Sequence, residues 1–170
     1  ANKKEAEQQE NIAANSTLEE TMEAAEYVVP EVALQQNTIP EITELVNTYY
    51  TAQAAGDIDT IRSLVSNIDD LEVLRIEETS KYIDSYPTLE IYTKVGPVEN
   101  TYIVYVCSEL KFTDYEDLFP GMKVFYVCMN ENGEYYINES EEGSDNELTY
   151  IREVTLQEDV IDLNNKVAAA

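Results

Sequence analysis

The chain has 170 residues, and its 35 acidic against 10 basic side chains give a formal net charge of −25 at pH 7. A chain of this length is typical of one domain, and its strong negative charge disfavours phosphate backbones and anionic lipid headgroups as partners. No apolar run reaches the ~18–20 residues that a membrane span needs. The sequence has no His, so the commonest general base and transition-metal ligand is missing.

Composition divides the chain into three parts. Residues 1–37 are rich in Glu, Gln, Asn and Ala, which predicts a flexible acidic tether because so few apolar groups cannot offset the entropy of ordering. Residues 38–155 carry the periodic apolar patterns of a folded domain. Residues 156–170 are predicted to be a helical tail or the start of a following segment. An acidic stalk ahead of a small domain is typical of surface proteins, so we expect an extracellular or cell-surface location, with the leader or lipid anchor absent from this chain.

Three helices are predicted in the first half of the domain. The first begins near Pro40 and ends at Gly56, and the second runs from 58 to 67 with Asp57 as its N-cap. A third follows Asp69 and stops before Pro87, and it includes Tyr82 and Ile83. A short strand over 71–76 is the alternative for part of it. The first helix presents one apolar stripe: Ile42, Leu45, Val46, Tyr49, Ala52 and Gln53.

Beyond Pro87 the apolar period changes from 3.6 to 2, which predicts strands. They cover 88–95, 101–112, 122–130 and 134–138, with a loop over 114–121 that ends in Pro-Gly. Asn132-Gly133 between two alternating runs indicates a two-residue hairpin turn. Helices followed by about four antiparallel strands make the predicted fold class α+β, with N-terminal helices packed against a curved antiparallel sheet.

The opening segment IPEITELVNTYYTAQAAGDIDTIRSLV resembles the nuclear-transport-factor-2-like superfamily, in which a first helix ending in Tyr-Tyr is followed by a Gly-Asp break and a short second helix. The segments IYTKVGPVENTYIVYVCSELKF and FYVCMNENGEYYIN are similar to surface or secreted members from gut Firmicutes. The resemblance covers residues 38–140 and implies a cone-shaped domain with an internal pocket. Relatives are isomerases, dehydratases or cyclases, or bind proteins; their acid–base sites use a His, or an Asp beside a Tyr.

Tyrosine is unusually frequent, with 13 residues against 3 Phe and no Trp. Tyr49, Tyr50, Tyr82 and Tyr102 are the candidate pocket residues, since their hydroxyls would suit a polar ligand. The alternative is packing at the rim of a small core.

No catalytic residue is assigned. Asp84, Asp114 and Asp117 fall near element ends or in loops, and no carboxylate is predicted to face inward. Calcium is the metal that such an acidic chain would suit, but the acidic segment 138–147 lacks EF-hand spacing. We therefore expect no metal and no cofactor.

Cys107 and Cys128 lie in successive predicted strands. They form a disulfide if both side chains share a face in matched register, and otherwise they are two half-buried free thiols. Nothing near them in the sequence favours a nucleophilic thiolate.

The second face of the sheet is predicted to need a cover. If Val104 faces the helices and Cys107 lies opposite Cys128, a large apolar patch remains outside. We expect a second copy of the chain to cover it, as related cone-shaped folds often dimerise through this sheet. The alternatives are the stretch 27–29 and the helix after Gln157. The candidate interface consists of Tyr92, Ile103, Tyr105, Val124, Tyr126, Tyr135 and Ile137.

These observations favour a non-enzymatic extracellular or cell-surface binding domain that takes a small apolar ligand or a protein partner. The alternative is a small-molecule isomerase, dehydratase or cyclase of the same fold that uses Tyr/Asp acid–base chemistry. An inward carboxylate within hydrogen-bond reach of a Tyr would favour the enzyme.

Overall fold

The computed structural model describes residues 28–139 and 144–170. The chain divides into two compact units, 1–30 and 31–170, and the second contains all the helices and strands described below. Most of the predicted tether, up to residue 27, lies outside the described residues. So do Glu141 and Glu142 of the acidic segment. Residues 31–37 of the predicted tether belong to the second compact unit.

Three helices precede the long strands of the sheet, as predicted. Gly56 ends the first helix in the left-handed conformation, and Asp57 and Asp69 cap the next two by accepting hydrogen bonds from Thr60 and Glu72 backbone N–H groups. The helices are α1 (Pro40–Ala55), α2 (Ile58–Leu64) and α3 (Asp70–Ser80).

The second and third helices are shorter than predicted. Val65 adopts an extended conformation after α2 and forms a parallel bridge with Ile137. After α3, Ile83 begins a strand rather than continuing the helix. The C-terminal ends of both helices are determined by contacts with the sheet that are distant in sequence. Local apolar periodicity carries no information about such contacts.

One five-stranded antiparallel sheet forms in the order β1-β2-β3-β4-β5, which makes the fold class α+β, as predicted. The two-residue strand at its edge was not predicted. The strands are β1 (Gln35–Gln36), β2 (Ile83–Val95), β3 (Tyr102–Phe112), β4 (Leu118–Met129) and β5 (Tyr135–Ile137).

Two prolines lie inside strands that were predicted to begin after them. Pro87 sits where the β2–β3 pairing shifts register, and β1 pairs with β2 only at Tyr92 and Thr93. Pro120 lies in β4 opposite Glu109, before the part of β4 that pairs with β5. Neither proline therefore lies in a strand segment that is paired on both sides, the position in which its missing N–H would be least tolerated.

Two further helices end the chain: α4 (Asp145–Thr155) and α5 (Glu158–Ala168). Helix α4 was not predicted, although Ser144 caps it by accepting a hydrogen bond from the Glu147 N–H. This is a Ser-x-x-Glu sequence, the pattern of a capping box.

The helices pack on both faces of the sheet. Helices α1–α3 cover the inner face, where Val104 and Val106 of β3 join the main core with Phe125 and Val127 of β4. On the outer face Ile103 and Tyr105 are fully buried, and Tyr150 and Val154 of α4 and Val160 of α5 are buried as well. The chain's own C-terminal helices thus lie over the face for which a second copy was expected.

The strand register differs from the expected one at two places. Cys107 lies opposite Met122, not Cys128. The last hairpin pairs Met129 with Tyr135, one residue away from the predicted register. Its loop covers 131–133 with Gly133 at φ 77°, and Asn132 keeps a negative φ, so the turn is not the two-residue type that needs two positive values.

The one-residue shift moves β5 side chains to the opposite face of the sheet. Ile137 pairs with Val127 and is 1% exposed in the inner core, and Tyr135 packs against that core. Both were predicted to lie on the outer surface. Tyr136, opposite Cys128, takes the outer position instead.

A fully buried lysine joins the outer face of the sheet to the C-terminal helices. The Lys94 ammonium donates to Asp159 Oδ1 at 2.7 Å, to Gln157 Oε1 at 2.9 Å and to the Val154 carbonyl at 3.1 Å. The same two side chains accept backbone N–H bonds from Val32 and Leu34. This Lys94 cluster fixes the α4–α5 junction and the segment before β1 to strand β2.

None of the helices within 28–139 and 144–170 combines the length and apolar content that crossing a bilayer requires.

Candidate functional site

A cavity of about 290 Å³ lies on the inner side of the sheet. Its inner wall is aliphatic, with Ile61 of α2 and Ile76 of α3 each 1% exposed. The chain leaves this gap because α2 ends at Leu64 and the 65–69 segment crosses to α3. The lining residues are Tyr49, Ile61, Val65, Asn67, Ile68, Asp69, Glu72, Ile76, Lys123 and Glu139.

The polar centre of the cavity is formed by Tyr49 and Lys123. The Lys123 ammonium donates to the Tyr49 hydroxyl at 3.0 Å and lies 5.1 Å from the Tyr49 ring centroid and 5.0 Å from that of Phe125. Tyr49 is 3% exposed, and Lys123 is half-buried. The cation is therefore held over two aromatic faces, an arrangement that partly offsets its desolvation.

The carboxylates that line this cavity are bound to other groups or exposed to solvent. Glu72 accepts two hydrogen bonds from the Arg75 guanidinium, one at 2.9 Å from Nε, and this pair lowers the pKa of the Glu72 carboxyl. Asp69 caps α3 and is exposed, as is Glu139. The carboxylates thus lie toward solvent, while the Tyr49 hydroxyl and the Lys123 ammonium lie deeper in the cavity.

A second, more open cavity of about 450 Å³ lies between α1 and the start of β2, and Tyr50 lines it. The Tyr50 ring packs edge-on against Tyr86 at 4.9 Å and against Tyr49 at 5.7 Å. Burial raises the pKa of Tyr50, with a smaller opposing effect from its hydrogen bond to Ser108. Tyr50 remains a neutral phenol at physiological pH.

The structure does not bring the four predicted pocket tyrosines together. Tyr49 and Tyr50 are neighbours that face different cavities. Tyr82 follows α3 and is 66% exposed. Tyr102 packs edge-on against Tyr135 at 6.1 Å. Of the four, Tyr49 belongs to the enclosed cavity.

The residues assigned to a dimer interface have different environments. Ile103 and Tyr105 are buried under α4 and α5, where the Tyr105 and Thr155 hydroxyls are 3.0 Å apart and burial raises the pKa of Tyr105 to about 12. Tyr135 and Ile137 face the inner core. The remaining three are half-buried on the outer face: Tyr92, Val124 and Tyr126.

Both cysteines are free and buried. Burial raises the pKa of each thiol, so neither is a ready nucleophile. Within the described residues, no three Cys, Asp or Glu side chains are arranged to hold a metal ion.

Lys123 was not predicted as a site residue. Its position could be predicted from the sequence. Lys123, Phe125 and Val127 share one face of an alternating strand, and the two apolar residues must point into the core. A lysine in phase with core residues indicates a cation at the inner wall.

Comparisons with family models, with curated proteins and with solved structures find no match for this chain.

Proposed function

We propose that this is a non-enzymatic binding domain that takes a small molecule in the Tyr49–Lys123 cavity. The observation that supports it is the cavity itself: about 290 Å³ between helices and sheet, with an aliphatic side and a hydroxyl–ammonium pair formed by the buried Tyr49 and the half-buried Lys123. Binding sites are typically concave and contain a few convergent polar groups that orient the ligand.

Acid–base catalysis is the alternative, and the hydrogen bonds favour binding over it. A Tyr/Asp mechanism needs a carboxylate beside the tyrosine hydroxyl. The Tyr49 hydroxyl accepts from Lys123 instead, and Glu72 is paired with Arg75. Neither arrangement places a carboxylate at the Tyr49 hydroxyl to act as a general base.

The setting we propose is the cell exterior, with residues 1–30 as the connection to it. What supports this is the composition of that segment and the chain's net charge of −25. The order of α1–α3 and the antiparallel strands also supports membership of the nuclear-transport-factor-2-like superfamily. A homodimer has less support, since α4 and α5 bury Ile103 and Tyr105.

Chemical-shift mapping with a panel of small organic fragments tests the proposal. We expect fragments to shift the amides of Ile61, Ile76 and Tyr49 saturably. Val65→Phe fills the cavity and should abolish these shifts, whereas Val98→Phe, in an exposed turn outside the cavity lining, should leave them intact. Shifts that survive Val65→Phe, or no saturable shifts with any fragment, would argue against this site.

A further inference from the structure

Lys123 has an unusual electrostatic position in this protein. Five ion pairs within 4.0 Å join described residues, and Lys123 belongs to none of them. This occurs in a chain with 35 carboxylate side chains. A half-buried ammonium costs solvation energy unless a partner compensates it, and in the described part of the chain its hydrogen-bond partner is the Tyr49 hydroxyl rather than a carboxylate.

The ammonium retains donor capacity toward the cavity. Its nitrogen carries more N–H donors than the one that Tyr49 occupies. The two aromatic faces at 5.1 and 5.0 Å attract the charge but accept no strong hydrogen bond. A ligand oxygen entering the cavity therefore finds a charge-assisted donor already held in place by Tyr49 and Phe125.

The rest of the cavity lining indicates which chemistry suits the part of a ligand that lies away from Lys123. Val65 and Ile68, which are partly exposed, give the cavity its aliphatic side, and Ile61 and Ile76 line it with almost no exposed surface. The cavity volume corresponds to about ten water-sized groups. Glu72 accepts hydrogen bonds from Arg75, and its smaller electrostatic interaction with Lys123 acts beyond ion-pair distance. Arg75 therefore offsets most of the repulsion that Glu72 would exert on an anion at Lys123.

Resting on the proposed binding function, we infer that the cavity takes a small organic carboxylate, with its carboxylate on Lys123 and its hydrocarbon part against Val65 and Ile68. The carboxylate completes an ion pair that the protein leaves open, and the hydrocarbon part displaces water from the aliphatic wall. Asp69 and Glu139 at the solvent side disfavour a ligand with further negative charge, so a monocarboxylate fits better than a dicarboxylate.

Three probes of one chain length separate charge from hydrophobicity: hexanoate, 1-hexanol and hexylamine, titrated into the full chain and followed by amide chemical shifts. We expect hexanoate to bind with Kd on the order of millimolar and at least about tenfold more tightly than hexanol, the ratio that one charge-assisted hydrogen bond contributes. Hexylamine should bind most weakly.

Matched lysine variants test the residue. Lys123→Met should weaken hexanoate binding about tenfold or more and leave hexanol unchanged, and Lys123→Arg should retain the preference for hexanoate. Lys166→Met removes an exposed lysine that lines a different cavity and should change nothing. If Lys123→Met does not fold, the comparison of the three probes on the wild-type chain decides the question.

The outcomes separate the two proposals. Equal binding of hexanol and hexanoate at the cavity, or hexanoate binding that survives Lys123→Met, overturns the carboxylate inference and leaves the binding function standing. If none of the three probes shifts the cavity amides, and no fragment of the panel does so either, both the binding function and the carboxylate inference are refuted.

Discussion

Replacing Lys94 with Ala should strongly destabilise the domain. The substitution removes three hydrogen bonds from a side chain with no exposed surface, and it leaves Asp159 without its cation. Breaking a buried pair by removing one partner costs ~3–5 kcal/mol, but the Asp159 side chain is 40% exposed, so water recovers part of this. We expect a loss of about 2–4 kcal/mol in the free energy of unfolding, equivalent to a Tm about 5–15 °C lower for a chain of this size.

Urea unfolding at pH 7 measures this loss, with Lys81→Ala as the control. Lys81 pairs with Glu78 on the exposed surface of α3, and such pairs contribute ~0–1 kcal/mol. Burial opposes ionisation of Asp159, but hydrogen bonds from Lys94 and from the Leu34 N–H outweigh it and lower the Asp159 pKa. The folded-state pKa lies below the ordinary 3.8, so this contribution is present above pH 4 and disappears as the pH falls further. Equal stabilities of Lys94→Ala and Lys81→Ala at pH 7 would refute the role of the Lys94 cluster.

Three further predictions follow from burial. Ile137→Ala should cost ~2–5 kcal/mol on urea unfolding, as for other buried aliphatic side chains; a loss below about 1 kcal/mol would mean that Ile137 is on the surface, as the sequence predicted. Cys107 and Cys128 should react slowly with a thiol reagent until urea unfolds the chain, and reductant should leave the Tm unchanged; a reductant-dependent Tm would indicate a disulfide. The raised pKa of Tyr105, about 12 against 10.0, makes its neutral form native-stabilising, so stability should fall from pH 10 to 12; Tyr105→Phe should reduce that slope, and an unchanged slope would argue against its burial.

The inner half of the fold could be predicted from the sequence because its signals are local. The stripe in α1, Gly56 at its end and the caps of α2 and α3 each depend on residues a few positions apart. Period-2 alternation grouped Val104 and Val106 on one face of β3. That this face points to the helices was a condition of the interface prediction, and the structure meets it.

The hairpin register could not be predicted from the Asn-Gly dipeptide alone. Asn132-Gly133 is compatible with a two-residue turn and with a three-residue loop that has only Gly133 at positive φ. The structure has the longer loop, in which Asn130 accepts hydrogen bonds from the Asn132 and Glu134 N–H groups. One residue of difference reversed the predicted faces of Tyr135 and Ile137.

Lys123 was missed as a site residue because the environment of a polar side chain in a strand depends on which segment covers it, and that segment is distant in sequence. Lys94 and Lys123 both follow the alternation of their strands, yet one is buried under the C-terminal helices and the other lines the cavity. The cover over Lys94 depends on α4, whose capping signal at Ser144 and Glu147 lies beside a run of acidic residues and was assigned to a loop.

A crystal structure of the protein soaked with hexanoate would test the central claim most directly. The account predicts ligand density in the Tyr49–Lys123 cavity, with a carboxylate oxygen at hydrogen-bond distance from the Lys123 ammonium and the hydrocarbon chain against Val65 and Ile68. Hexanoate bound beside Tyr50 and Tyr86 instead, or an empty Tyr49–Lys123 cavity at saturating hexanoate, would contradict it.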